Sequence, residues 1–294
     1  MKKAVLAAVV LLVSVVGGGL SAQAPGVWGK YTYFPPSRFS DSDAPRGVEL
    51  QISSWETGAA FPLSFGGGRT LILNSVTYDE VTIGYDDPSG AVATPIERAH
   101  SVTYTLFLIQ KLSEKWQLVA VATPGLASDF EGKLSGNDVS FTGVLGAKYD
   151  FSDKFSLGAG VAYQRDFGGP MPLPFVLVKW AIGPRLALDA LLPMNATLLY
   201  SPSKTFDVGA FGEVGGNEYH GDPDKFGVGN PLLKYSVATA GPMVQVHVTP
   251  WARLTLKGGA TFVRRFEFFD GSEEASSFNL DQSWFVQGGL QIGM

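Results

Sequence analysis

The sequence predicts an all-β protein, an up-and-down antiparallel transmembrane β-barrel of about 12 strands with 14 as the alternative count. Repeated punctuation is the first reason. "KLSEKWQLVAV" from Lys111 and "DFSDKFSLGAGV" from Asp150 each set Ser, an acid and Lys before an aromatic residue that opens an alternating segment. Looser versions stand at "YSPSKTFDVGAF" from Tyr200 and "HVTPWARLTLKGG" from His247. Composition is the second: 36 Gly and 12% aromatics beside only 17% charged residues suit strands and turns, since Gly weakens a helix interior by about 1 kcal/mol. The third is that short turns alternate with long polar connections, as periplasmic turns and external loops do in an outer-membrane barrel.

The N-terminus reads as an export signal over residues 1–24. Lys2 and Lys3 form a basic head, an apolar core runs from Ala4 to Val16, and small residues lead to a cleavage point after Ala22 or Ala24. Losing the two lysines takes the formal net charge from −5 to −7. An acidic mature chain with no basic cluster argues against nucleic acid as a partner. With no Cys in the chain, disulfides, thiolate nucleophiles, Cys-ligated metals and a lipidated N-terminal Cys are excluded.

Residues 25–68 form an N-terminal segment before a barrel at 69–294. Its stretches 27–34 and 47–62 are strand-like and would raise the count to fourteen. The twelve expected strands lie near 69–78, 101–112, 116–125, 139–150, 155–164, 174–182, 185–192, 194–201, 205–214, 232–249, 252–265 and 283–294, with both ends periplasmic. Phe155, Leu157, Ala159, Val161 and Tyr163 alternate with Ser156, Gly158, Gly160, Ala162 and Gln164, the period of a strand with one apolar face. Ser113-Glu114-Lys115 and Ser152-Asp153-Lys154 are tight turns, with Trp116 and Phe155 at the interface. The weak points are Leu192-Pro193 and the Gly241-Pro242 pair inside 232–249. The long connections are 79–99, 126–137, 165–172, 215–230 and 267–281.

The last strand alternates Trp284, Val286, Leu290, Ile292 and Met294 against Phe285, Gln287, Gly289, Gln291 and Gly293. It resembles the C-terminal recognition signal of bacterial outer-membrane barrels, although Met294 replaces the usual Phe or Trp. From Leu71 to Met294, including "ALLPMNATLLYSPSKTFDVGAF" from Ala190, the chain resembles uncharacterised bacterial outer-membrane β-barrel families known as domains of unknown function. That resemblance implies an outer-membrane location, outer-membrane lipids around the barrel, and the barrel-assembly machinery as a partner of the C-terminal strand. It implies no reaction, cofactor or catalytic residue.

A charge on the lipid face costs about 2–4 kcal/mol at the midplane, so charged residues within strands are expected to face the lumen. The candidates are Lys148, Asp207, Glu213, Gln245, His247, Arg253, Lys257 and Arg265. Arg253, Lys257 and Arg265 fall on one face by period two. His100 and Ser101 are adjacent, so in a strand they point to opposite sides and cannot act as base and nucleophile. The acid pairs Asp41/Asp43, Asp86/Asp87, Asp222/Asp224 and Glu273/Glu274 lack the spacing of a calcium loop. No metal or cofactor is expected, and no enzymatic activity. The leading function is pore-like passive transport of small solutes, the second a structural or surface-interaction barrel, and a remote third an envelope-lipid hydrolase.

Overall fold

A computed structural model describes residues 25–41, 47–88, 96–164, 171–226, 231–270 and 273–293. The expected signal peptide with its cleavage points, together with Asp43 and Met294, lies outside the described residues. The strands in chain order are β1 (Gly26–Arg38), β2 (Glu49–Phe65), β3 (Thr70–Asp86), β4 (Arg98–Lys111), β5 (Trp116–Ser128) and β6 (Val139–Ser152). There follow β7 (Phe155–Gln164), β8 (Met171–Ala181), β9 (Leu186–Leu192), β10 (Asn195–Tyr200), β11 (Phe206–His220) and β12 (Pro231–Thr249). β13 (Ala252–Asp270), β14 (Glu273–Asn279) and β15 (Trp284–Gly293) complete the chain.

Successive strands pair antiparallel from β1 to β13, and β15 joins β13 to β1, which closes the sheet. β14 only extends the loop-end half of β13 as a hairpin. The ring therefore has fourteen strands, the alternative count, with β1 and β2 supplied by the N-terminal segment. Large apolar residues on both faces of β1, Tyr31 and Tyr33 outside against Trp28 and Phe34 inside, hide its alternation.

Several strands run further toward the loop end than expected. Residues 79–86, 98–100 and 215–220 are strand, because there the pattern inverts. Val81, Ile83 and Ala99 keep the inner face apolar while the outer face turns polar with Glu80, Thr82 and Arg98. Leu192-Pro193 lies at a tight reversal between β9 and β10, and Gly241-Pro242 does not break β12. The pairing with β13 skips from Ala240 to Met243, and the backbones press together there. A Cβ on Gly241 would lie 2.0 Å from the Gly258 carbonyl oxygen, and one on Gly259 2.0 Å from that of Ala240. Only glycine fits at those two positions.

The outer surface carries an apolar band. On β2 the outward residues from Trp55 to Phe65 are Trp55, Thr57, Ala59, Phe61, Leu63 and Phe65, and above them stand Ser53, Gln51 and Glu49. About ten residues at ~3.3 Å each, tilted by ~40°, cover about 25 Å, the height of a lipid-facing band. At the turn end an aromatic girdle runs from Trp116 to Tyr149 (5.0 Å between rings), Phe151, Phe155 and Trp180.

The wall is uneven at the loop end. β9 stops pairing with β8 at the Val176–Leu192 pair, so residues 172–175 pair with no described strand on that side. The Ala181 amide bonds to Lys154 on the β7 side, which puts the backbone groups of even-numbered β8 residues on the β9 side. The two even positions above Val176 are Pro174 and Pro172, which have no N–H to leave unpaired at this bare edge. The far wall leans across instead. His220 of β11 pairs in parallel with Ser128 of β5, and the His220 carbonyl accepts hydrogen bonds from the Asp129 amide (3.0 Å) and the Ser128 hydroxyl (3.0 Å). The loop-end ring is thus built from β1–β5, β11–β13 and the chain entering β15, and is much narrower than the turn-end ring.

The outer band yields a test of which face meets lipid. Leu256 is 50% exposed at the outer face of β13, whereas its neighbour Thr255 faces the lumen. Leu256→Arg is expected to cost about 2–4 kcal/mol and Thr255→Arg far less, measured by urea unfolding in lipid vesicles with heat-modifiable gel mobility as the readout.

Candidate functional site

Inside the barrel, period two gives the lumen a layered chemistry. On β1 the inward series is Trp28, Lys30, Thr32, Phe34; on β2 it is Ala60, Glu56, Ser54, Ile52, running from turn end to loop end. β3 repeats it with Leu73, Ser75, Thr77, Asp79 and Val81, and β4 with Phe107, Thr105, Thr103, Ser101 and Ala99. Each strand thus crosses from one apolar cluster to a second through a single polar layer. The turn-end cluster packs Trp28, Leu73, Phe107, Val121, Phe175 and Leu191 together, drawn mostly from β3–β9. The loop-end cluster contains Phe34, Ile52, Phe211, Tyr235, Phe266 and Phe285.

Each lysine of the polar layer is paired within it. Lys30 Nζ lies 2.5 Å from Glu56 Oε2, and the Trp28 indole donates to Glu56 Oε1 at 2.9 Å. Lys257 meets Glu213 at 2.8 Å and sits over the Phe211 ring at 4.6 Å. Gln287 donates to Thr32 at 2.9 Å, and Ser101 donates to Asp79 at 3.4 Å. Lys30 is 38% exposed although it points inward, so the middle of the lumen admits water. Half-exposed polar groups continue from there to the turn end along β11–β15. His247 donates to Asp207 at 2.7 Å, Arg253 bonds Gln291, and Gln245 stands between Asp207 and Thr255 in register. The lumen therefore has a mainly apolar wall on β3–β9, with a polar group around Lys148 and Asp150 at its turn end, and a wet wall on β11–β13, β15 and β1.

The structure brings Asp207, Glu213, Gln245, His247, Arg253 and Lys257 together on the wet wall. Lys148 also faces inward, but across the lumen. It pairs with Asp150 at 2.9 Å, which accepts further bonds from Gln117 and Ser156. Arg265 is a correction. Ala238 pairs with Val263 and Thr239 with Thr261, so Phe262 and Val263 form a β-bulge with both side chains outside, 58% and 50% exposed. Parity shifts by one residue beyond it. Arg264 turns inward and is 2% exposed, while Arg265 points outward and pairs with Glu267 at 2.9 Å. His100 stacks on Tyr78 on the outer face and shares a 2.9 Å hydrogen bond with its hydroxyl, away from the inward Ser101. Among the described residues no group of three or more His, Asp or Glu is placed to hold a metal ion. Sequence reasoning missed Lys30, Glu56, Asp79 and Arg264. For Lys30 the signal was present in "VWGKYTYF", where it alternates with Val27, Gly29, Tyr31 and Tyr33.

The chain belongs to the family described as a domain of unknown function, DUF6268, whose model matches residues 18–293. Among solved structures it is similar to the NanC porin, at 10% identity and TM-score 0.36, covering 91% of this chain and 100% of that one. It is also similar to a mutant of the TodX monoaromatic hydrocarbon channel, at 10% identity and TM-score 0.43, covering 94% and 92%. OccAB4 from Acinetobacter baumannii matches at 11% identity and TM-score 0.33, covering 91% and 98%. At these identities the likeness concerns the barrel fold alone. No curated protein matches the chain in sequence.

The wet wall depends on its internal pairs. Glu213→Gln strips Lys257 of its partner and is expected to destabilise the barrel by about 1.5–3 kcal/mol. In a double-mutant cycle with Lys257→Gln the coupling energy should be clearly favourable; additive effects would show that the two groups do not depend on each other.

Proposed function

We propose that the chain sits in the outer membrane and passes small polar solutes passively, through a wet half-lumen that the loop-end aromatic cluster closes in this conformation. The apolar outer band supports the location, with short turns toward the periplasm and long loops outside. One observation carries the passage: half-exposed polar side chains rise along one wall from Arg253 and His247 to Lys30, and end beneath Phe34, Phe211 and Phe285. Those rings pack at 5.7 Å (Phe34–Phe285) and 6.0 Å (Phe211–Phe285) within the buried loop-end cluster. Lys30, Lys257 and His247 on this wall already face acids, so it favours small neutral or singly charged solutes over a large ion flux.

The closed loop end also favours a second reading, a structural or surface-interaction barrel that passes nothing. Planar bilayers separate the two. The wild-type protein is expected to give small, rare conductance steps, and Phe34→Ala combined with Phe285→Ala to give large, frequent ones. Silence from both proteins at high load, with the barrels folded, would leave the structural reading standing.

A further inference from the structure

Arg264 is the one charged side chain in the loop-end cluster, and it has no counter-ion among the described residues. It is 2% exposed, its guanidinium carbon lies 5.4 Å from the centre of the Phe34 ring, and its well-formed side-chain hydrogen bond runs from Nη1 to Ser37 Oγ at 2.6 Å. Nε and Nη2 have no hydrogen-bond partner. These two nitrogens form one edge of the guanidinium, the side-on fork whose parallel N–H bonds match the two oxygens of a carboxylate. The buried Tyr235 hydroxyl lies against the same guanidinium, within reach of a weak hydrogen-bonding contact with it, and has no other partner among the described residues. Burying a guanidinium with most of its donors unused is costly, and Arg cannot escape the cost by losing its proton.

Local geometry shows that the placement is built. The β13 bulge at Phe262 and Val263 turns Arg264 into the lumen, and a second irregularity on β1, between Phe34 and Ser37, accompanies the inward, 7% exposed position of Ser37. Ser37 fixes the Nη1 end of the guanidinium, and the Tyr235 hydroxyl is the other polar group set against it.

We propose that Arg264, with the Tyr235 hydroxyl, is a binding site for a small monocarboxylate whose apolar body lies among Phe34, Tyr235 and Phe266. A single cation in an apolar setting matches one negative charge, which favours a carboxylate over a phosphate dianion. The ligand enters as the aromatic cluster parts, so the site reads solutes at the point where the lumen is closed. It deepens the transport reading by naming a solute class, but binding itself requires no transport.

The test uses the full mature barrel in detergent micelles, with benzoate as probe and benzamide as its uncharged counterpart, by isothermal titration calorimetry. Benzoate is expected to bind at one saturable site, and benzamide about tenfold or more weakly, as loss of a charge-assisted bidentate pair implies. Arg264→Met should abolish benzoate binding while the barrel keeps its heat-modifiable mobility, since an apolar residue suits that cluster. Arg264→Lys keeps the charge and loses the fork, and should also weaken binding about tenfold. Equal binding of benzoate and benzamide, full binding by Arg264→Met or Arg264→Lys, or no binding by the folded wild-type protein would each overturn the proposal. Binding of benzoate by a barrel that stays silent in bilayers would keep this site and retire only the passage.

Discussion

Closure of the hydrogen-bonded sheet is the constraint on which the rest of this structure depends. In hydrocarbon an unpaired N–H or C=O costs several kcal/mol, so a chain crossing with strands must return to its own first strand. Here β15 performs that return by pairing with β1 on one side and β13 on the other. Where closure is incomplete, the sequence reduces the number of groups left unpaired. Pro172 and Pro174 occupy the bare edge of β8, and the Met194 carbonyl above the short β9–β10 hairpin accepts the Val214 amide at 2.8 Å. Once the ring is closed, the outer face has little freedom, and the lumen becomes the place where chemistry can vary.

The lumen's shape follows from the same ring. Fourteen strands enclose more space than side chains can fill, whereas about eight leave an interior just wide enough for them. Because β6–β10 end low and β11 leans onto β5, the loop-end ring approaches the smaller size and fills with Phe, Tyr and Leu. Below it, the inward side chains of Lys30, Glu213 and Lys257 stay partly exposed along the wall. Pairing those charges inside the layer keeps a partly dry interior tolerable, since each cation has an acid within 3 Å.

Much of this was legible from period two alone, because lipid imposes one sign on one face. The turns at Ser113 and Ser152, the strands from 101 onward within the apolar band, and the inward side of Asp207, Gln245, Arg253 and Lys257 all follow from that rule. Outside lipid the rule reverses. Along residues 79–86 water lies outside and the apolar core inside, so Val81 and Ile83 alternate with Glu80 and Thr82 in a pattern that imitates a loop rich in acids. Lys30 was hidden for a related reason, as Trp28 and Phe34 on its own face make the lumen side as apolar as the lipid side.

The bulge at Phe262 and Val263 shows how far one residue can carry. A strictly alternating strand would have pointed Arg265 inward and Arg264 into solvent. The inserted residue exchanges them: Arg265 reaches Glu267 at the surface, and Arg264 enters a cluster of aromatic rings. Either register turns one arginine inward; the bulge makes it Arg264, set against Phe34 and Ser37, and brings Phe266 inside in place of Val263. The bulge thus decides which arginine stands among the aromatic rings, and the Ser37 hydroxyl holds one end of its guanidinium there.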